Sequence, residues 1–286
     1  MIAKQEIGFK VFNYTFFGLF AFVTFYPVWD VIMGSLMTFS EYTRSPIKIF
    51  PTSPTLSAYR LLLSTQDVIT PFVNSVIVTV GGMAFSLSIM TMGAYALSKR
   101  YLVARPALMI YILITMLFSG GLIPLYIVVR SMGLLNTLAV LILRPAVNTF
   151  YLIIMRTYFA GLPDSLEESA KMEGANDFQI LLRLVVPVSM PILATIILFT
   201  AVDRWNDFIN PLLFNNRVEK RTLQLLLYQI IAAGRMEFSE MRSELQVTPA
   251  TGRMAAVTIS TLPILCVYPF LQKHFVKGVM IGSIKG

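Results

Sequence analysis

Side chains able to do chemistry are sparse in this sequence and gather in three places. Residues 164–177, DSLEESAKMEGAND, carry five carboxylates, Asp164, Glu167, Glu168, Glu173 and Asp177, with Lys171 and a central glycine, Gly174. Arg144, followed by Pro145, stands inside an otherwise apolar run. Trp205, Asn206 and Asp207 form an aromatic and polar cluster whose indole face could stack on a ligand ring, or anchor at a membrane interface. Covalent and metal chemistry find little support. His274 is the sole histidine, so neither a His-dependent triad nor a two-His metal site can be built within the chain. Cys266 is the sole cysteine, which excludes an internal disulfide. No GxxxxGK(S/T) loop is present to cradle a nucleotide. No catalytic residue, metal ligand or bound cofactor is therefore expected.

The elements that must position these groups are apolar spans. Of 286 residues, 56% are hydrophobic and only 13% charged, where an ordinary soluble domain carries about a quarter. A net charge of +8 raises nucleic acid as a partner, but the basic residues are scattered between apolar blocks instead of forming a basic face, which excludes it. Uncharged runs long enough to cross a bilayer, about 20 residues each, predict an all-α polytopic membrane protein, one domain over 1–286. Six spans are expected, at 11–36, 70–97, 106–129, 137–158, 185–203 and 254–272. A bend is expected at Pro27, and the fourth span contains Arg144-Pro145. The polar stretch 163–184 and a long segment 204–253 lie between spans. With Arg144 set aside, Lys and Arg divide equally, eleven to each side. The inner set crowds into short segments such as SKRYLVAR, which by the positive-inside rule places both termini in the cytoplasm.

Local grammar divides the polar stretch into two short helices. Ser165 with Glu168 fits a capping box, Gly174 supplies a left-handed terminus, and Asn176 with Gln179 fits a second box. Interfacial helices carry Lys and Arg toward lipid headgroups; this one is acidic, so it reads as a docking knob and not as a surface linker.

The same residues carry a resemblance. Glu168 to Pro187, ESAKMEGANDFQILLRLVVP, resembles the EAA loop of permease subunits in binding-protein-dependent ABC importers, with the motif's acid at Glu173, its glycine at Gly174 and its proline at Pro187. Ser169 stands where alanine is usual. IPLYIVVRSMGLLNT, RWNDFINPLLF and KGVMIGSIKG are similar to the carbohydrate-uptake class, the group of the smaller maltose-importer permease, and above all to importers of alginate or pectin fragments and lipo-oligosaccharides. The resemblance implies the type I importer permease fold and a bacterial cytoplasmic (inner) membrane location. It further implies a second homologous permease, two ATP-binding subunits that hold ATP and Mg, and an extracytoplasmic sugar-binding protein. Glu168, Ser169, Ala170, Glu173, Gly174 and Ala175 would meet the ATPase, and segment 204–253 would meet the binding protein. Arg144, Trp205, Asn206 and Asp207 are candidate pore or substrate contacts. For Arg144, a sugar contact, an ion pair with Asp203 or Asp207, snorkelling to headgroups and closure against the second permease all remain open. A secondary transporter would carry coupling charges at mid-membrane, and the second, third, fifth and sixth spans have none at their centres. A permease for amino acids or phosphate is the alternative.

Overall fold

A computed structural model describes residues 2–44, 49–64, 66–232 and 250–266, and every regular element among them is helical. The chain divides into two compact units, residues 1–69 with 227–262 and residues 70–226 with 263–286.

The first unit is led by α1 (Ile2–Ser35), which continues through Pro27 as one helix. From Gly8 to Ser35 it is long and apolar enough to cross a membrane. From Gly8 to Phe25 its side chains are exposed, and Phe12, Phe16 and Phe20 stack along it one turn apart. Beyond α1 come α2 (Phe39–Arg44) and α3 (Ser57–Ser64). Polar contacts fold the connection back on α1: Trp29 Nε1 donates to the Ile49 carbonyl at 2.7 Å, and the Ser35 and Tyr59 hydroxyls share a hydrogen bond at 2.6 Å. Glu41 accepts from the Thr52 and Ser53 amides, and the Thr52 bond holds its carboxyl below the usual range.

In the second unit α4 (Gln66–Ser98) is the other uninterrupted helix of spanning length. The regions expected as single spans at 106–129, 137–158 and 185–203 are each interrupted instead, and glycine or proline sits at every break. Helices α5 (Arg105–Leu117) and α6 (Leu122–Ser131) meet at 111° across Ser119, Gly120 and Gly121, where Gly121 adopts φ +86°. Helices α7 (Leu138–Leu143) and α8 (Thr149–Ala160) are parted at Pro145. Past α9 (Asp164–Met172), helix α10 (Asp177–Ile180) widens into a π turn, Leu181–Val185, before α11 (Val186–Val188). Pro187 and Pro191 have no N–H for the ladder, and the path turns by 85° between them into α12 (Met190–Asn206).

Segment 204–253 is likewise not one loop. Helix α12 runs on to Asn206, and α13 (Ile209–Phe214), a 3-10 turn at Val218–Lys220 and α14 (Leu223–Ala232) follow. In the region expected as the sixth span lies α15 (Ala250–Cys266), a shorter apolar helix; positions 267–272, and with them His274, lie outside the described residues.

Two cores hold the second unit. The larger joins Met90 and Ala94 of α4, Leu152, Met155 and Phe159 of α8, Ile180 and Val185 after α9, and Leu193 and Ile196 of α12. The smaller joins Val78, Val129, Val140, Leu141 and Phe214. In hydrocarbon such cores are held by close packing, and a methyl group added at Gly93 would already touch Leu152 at 3.5 Å.

Candidate functional site

Two regions assemble the chemistry-bearing residues. The first is the acidic knob. Helix α9 ends in a Schellman motif: Gly174 (φ +84°) donates its N–H to the Lys171 carbonyl at 2.9 Å, and Ala175 donates to Ala170 at 3.0 Å. Two residues later Asn176 and Gln179 form a reciprocal capping box, each side chain accepting from the other's backbone N–H at 2.9 and 3.0 Å. The first expected cap is different. Pro163, not Ser165, occupies the N-cap; with φ fixed at −61° it sets the helix entry, and Ser165 falls inside the first turn with its carbonyl accepting from Ser169 Oγ.

Ion pairs orient the knob. Lys99, just past α4, pairs with Glu167 in a largely buried contact and lies over the Tyr95 ring. Lys171 pairs with Asp177 at 3.4 Å, spanning the Gly174 turn, and Tyr101 donates to Asp177 at 3.4 Å. Burial, then the charge of Asp177, pushes the Tyr101 phenol above its ordinary value, so it remains a donor. Glu168, Ser169, Glu173 and Gly174 are exposed. Ala170 and Ala175 are half-buried and pack their inner side on the larger core. Two exposed apolar residues that the sequence reading did not select complete the outer surface, Met172 at 89% and Phe178 at 59% exposure. Apolar side chains left bare at a helix end, beside acids, were the available signal.

The second region is a cavity of about 510 Å³ between α4, the α7–α8 break, α12 and the start of α13. Arg144 reaches it and donates to Asn210 at 2.8 Å; Asn210 in turn donates its side-chain amide to Asp207 at 2.6 Å. Of the alternatives for Arg144, the ion pair is not formed here: Asn210 lies between the guanidinium and Asp207, while Asp203 accepts from the Tyr151 hydroxyl at 2.8 Å. Tyr151 is stacked on Phe199 at 5.8 Å. Asn148 and Asn206 also line the space. Thr200 Oγ1 is buried beside it and has no protein hydrogen-bond partner, a donor and acceptor left for whatever enters.

Trp205 is elsewhere. It is buried, meets Phe72 edge to face at 6.0 Å, and lines a separate apolar pocket with Leu198, Ala201 and Val202. Asp207 lies just past the end of α12 in extended backbone and lines the polar cavity, so it does not share the indole's pocket. Sequence reasoning also missed Arg204, which it had counted as an outer-loop charge. Arg204 is buried and lines the cavity. The signal was available as a cation in phase with Thr200 on an apolar helix. Among the described residues no group of three or more His, Cys, Asp and Glu side chains could hold a metal ion.

The family whose description reads binding-protein-dependent transport system inner membrane component matches residues 100–281. A polygalacturonan/rhamnogalacturonan transport system permease protein of Bacillus subtilis (strain 168) is 42% identical over 97% of this chain and 98% of its own length. The protein LplC of the same organism is 42% identical over 97% and 95%. A chain in the crystal structure of a bacterial ABC transporter involved in import of the acidic polysaccharide alginate superposes with a TM-score of 0.90 at 33% identity, covering 95% of this chain and 98% of that one.

Proposed function

The chain belongs to the family of binding-protein-dependent transport system inner membrane components, and from that premise we propose that it is the permease subunit through which an ABC importer moves an acidic oligosaccharide. The observation that carries the reading is the cavity: a polar space of about 510 Å³ among apolar helices, with an exposed guanidinium, carboxylates, amides and a tyrosine. Sugars present ring hydroxyls and apolar ring faces, and a uronate adds a carboxylate for which Arg144 is a suitable partner. Acidic polysaccharides are the cargo named for the pectin relative and for the alginate importer, which favours an acidic sugar over a neutral one.

As a membrane component of such a system the protein is a transporter subunit and not an enzyme. It works with a binding protein and an ATPase. In this reading a second homologous permease completes the pore, and two ATP-binding subunits hold ATP and Mg. Glu168, Ser169, Glu173 and Gly174 form the ATPase contact together with Met172 and Phe178; Ala170 and Ala175 support it from behind. Arg144, Asn206 and Asp207 contact cargo, both termini face the cytoplasm, and the 204–253 region faces the binding protein. A knob tied by a Schellman motif, a capping box and the Lys99–Glu167 pair transmits force as a rigid body, which suits coupling to ATP-driven motion of the ATPase.

The test is ATP hydrolysis by the complete complex in lipid, with receptor loaded by oligogalacturonide or by a neutral oligosaccharide. Stimulation by the acidic cargo alone supports the reading. Stimulation only by neutral cargo removes the acidic assignment, and none by either removes the sugar.

A further inference from the structure

We infer that Arg204 is a positioning residue that replaces the hydrogen bonds broken by Pro145 and so holds the cavity wall carrying Arg144 in its unwound form. The inference rests on the reading of the cavity as the cargo path. It starts from backbone accounting. Pro145 has no N–H to give the Leu141 carbonyl, and Ala146 N bonds the Leu143 carbonyl at 3.2 Å instead of reaching back to Ile142. Two carbonyls at the end of α7 are thereby left without their helical donors, and buried carbonyls need another partner. Arg204 takes both: Nη1 donates to Leu141 and, at 3.4 Å, to Ile142. Nη2 donates to the Pro145 carbonyl at 2.6 Å and to Ser86 Oγ at 2.7 Å.

The site is shaped for this side chain. Arg204 is 7% exposed and Ser86 is 1% exposed. One turn before Ser86, on the same face of α4, Gly82 leaves the room: a Cβ there would stand 3.3 Å from the Arg204 Cζ and Nη1. Among the described residues no carboxylate lies within 4.0 Å of the guanidinium; its close acceptors are three carbonyls and a hydroxyl. A buried cation usually answers a carboxylate. Here it answers backbone, and it ties α4, α12 and the α7–α8 break at one point in the cavity lining it shares with Arg144, Pro145, Ala146, Val147 and Asn148.

A positioning role has a readout that bulk stability does not. Val147 is 46% exposed and lines the cavity, so a cysteine there, in a Cys266→Ser background, reports the wall by its rate of reaction with a membrane-impermeant maleimide. The complete complex in nanodiscs is labelled with and without Arg204→Met, Arg204→Lys and Gly82→Val, the last displacing the guanidinium while keeping its charge. Loss of hydrogen bonds to a charged donor is expected to change the labelling rate, and the half-saturating oligogalacturonide concentration in the ATPase assay, by roughly tenfold in Arg204→Met. Gly82→Val should move both readouts the same way and Arg204→Lys should recover part of the change. If Arg204→Met is not recovered in the membrane, Gly82→Val decides. Labelling within twofold of the parent in the assembled variant overturns the inference. Absence of protection of Val147→Cys by oligogalacturonide in the parent chain instead counts against the cavity as cargo path, independently of Arg204.

Discussion

Gly174 is the residue at which the knob is most sensitive. Its φ of +84° costs an L side chain about 1–2 kcal/mol. A Cβ there would meet nothing within 4 Å, so the penalty is backbone strain alone. Gly174→Ala should therefore leave the chain in the membrane with reduced uptake. Gly174→Asp, which adds a further charge to an acidic docking face, should abolish uptake and receptor-stimulated ATP hydrolysis at normal membrane abundance; full uptake by that variant would remove the docking role. In the cavity, Arg144→Gln keeps an amide donor near Asn210 but removes the charge. For an acidic oligosaccharide the half-saturating concentration should rise roughly tenfold, the worth of one charge-assisted hydrogen bond. A neutral oligosaccharide should be affected far less. Equal effects on both would make Arg144 a wall residue and not a reader of charge.

At the scale of elements, what couples the knob to the helices is the link between α9 and the end of α4. Lys99 and Glu167 are largely buried, so removing one partner leaves an uncompensated charge and should weaken the seat of α9 by about 2 kcal/mol. Lys99→Glu alone is expected to impair uptake, and Lys99→Glu with Glu167→Lys to restore much of it, measured at equal membrane abundance. No recovery in the double variant would mean that α9 is held by its apolar side alone. The elements also separate what was legible in the sequence from what was not. The Asn176–Gln179 box and the Gly174 turn are local: three or four residues contain all their partners. Ser165 was misassigned because Pro163, two residues earlier, fixes the helix entry first. The breaks in three expected spans were marked by glycine or proline, yet composition gives neither the sharpness of a turn nor its direction. Trp205 and Asp207 are two residues apart in sequence and line different pockets, a distinction that appears only when α12 is known to continue to Asn206. Arg204 was hidden because its partners are backbone carbonyls some sixty residues away.

At the scale of the whole molecule, an apolar scaffold carries two polar devices, an acidic knob and a mixed-charge cavity. The chain supplies no nucleotide loop, and in the proposed function ATP bound by a partner acts through the knob on the cavity. Family membership and the importer fold at a TM-score of 0.90 make the chain a permease subunit of an importer. The decisive measurement is accumulation of labelled oligogalacturonide by proteoliposomes containing the complete complex, with loaded receptor on the cargo side and ATP available only on the ATPase side. Accumulation is expected with ATP, absent with a non-hydrolysable analogue, and absent in Gly174→Asp liposomes of equal protein content. Accumulation driven by an ion gradient without ATP, or undiminished in Gly174→Asp, would contradict ATP-coupled import through this subunit.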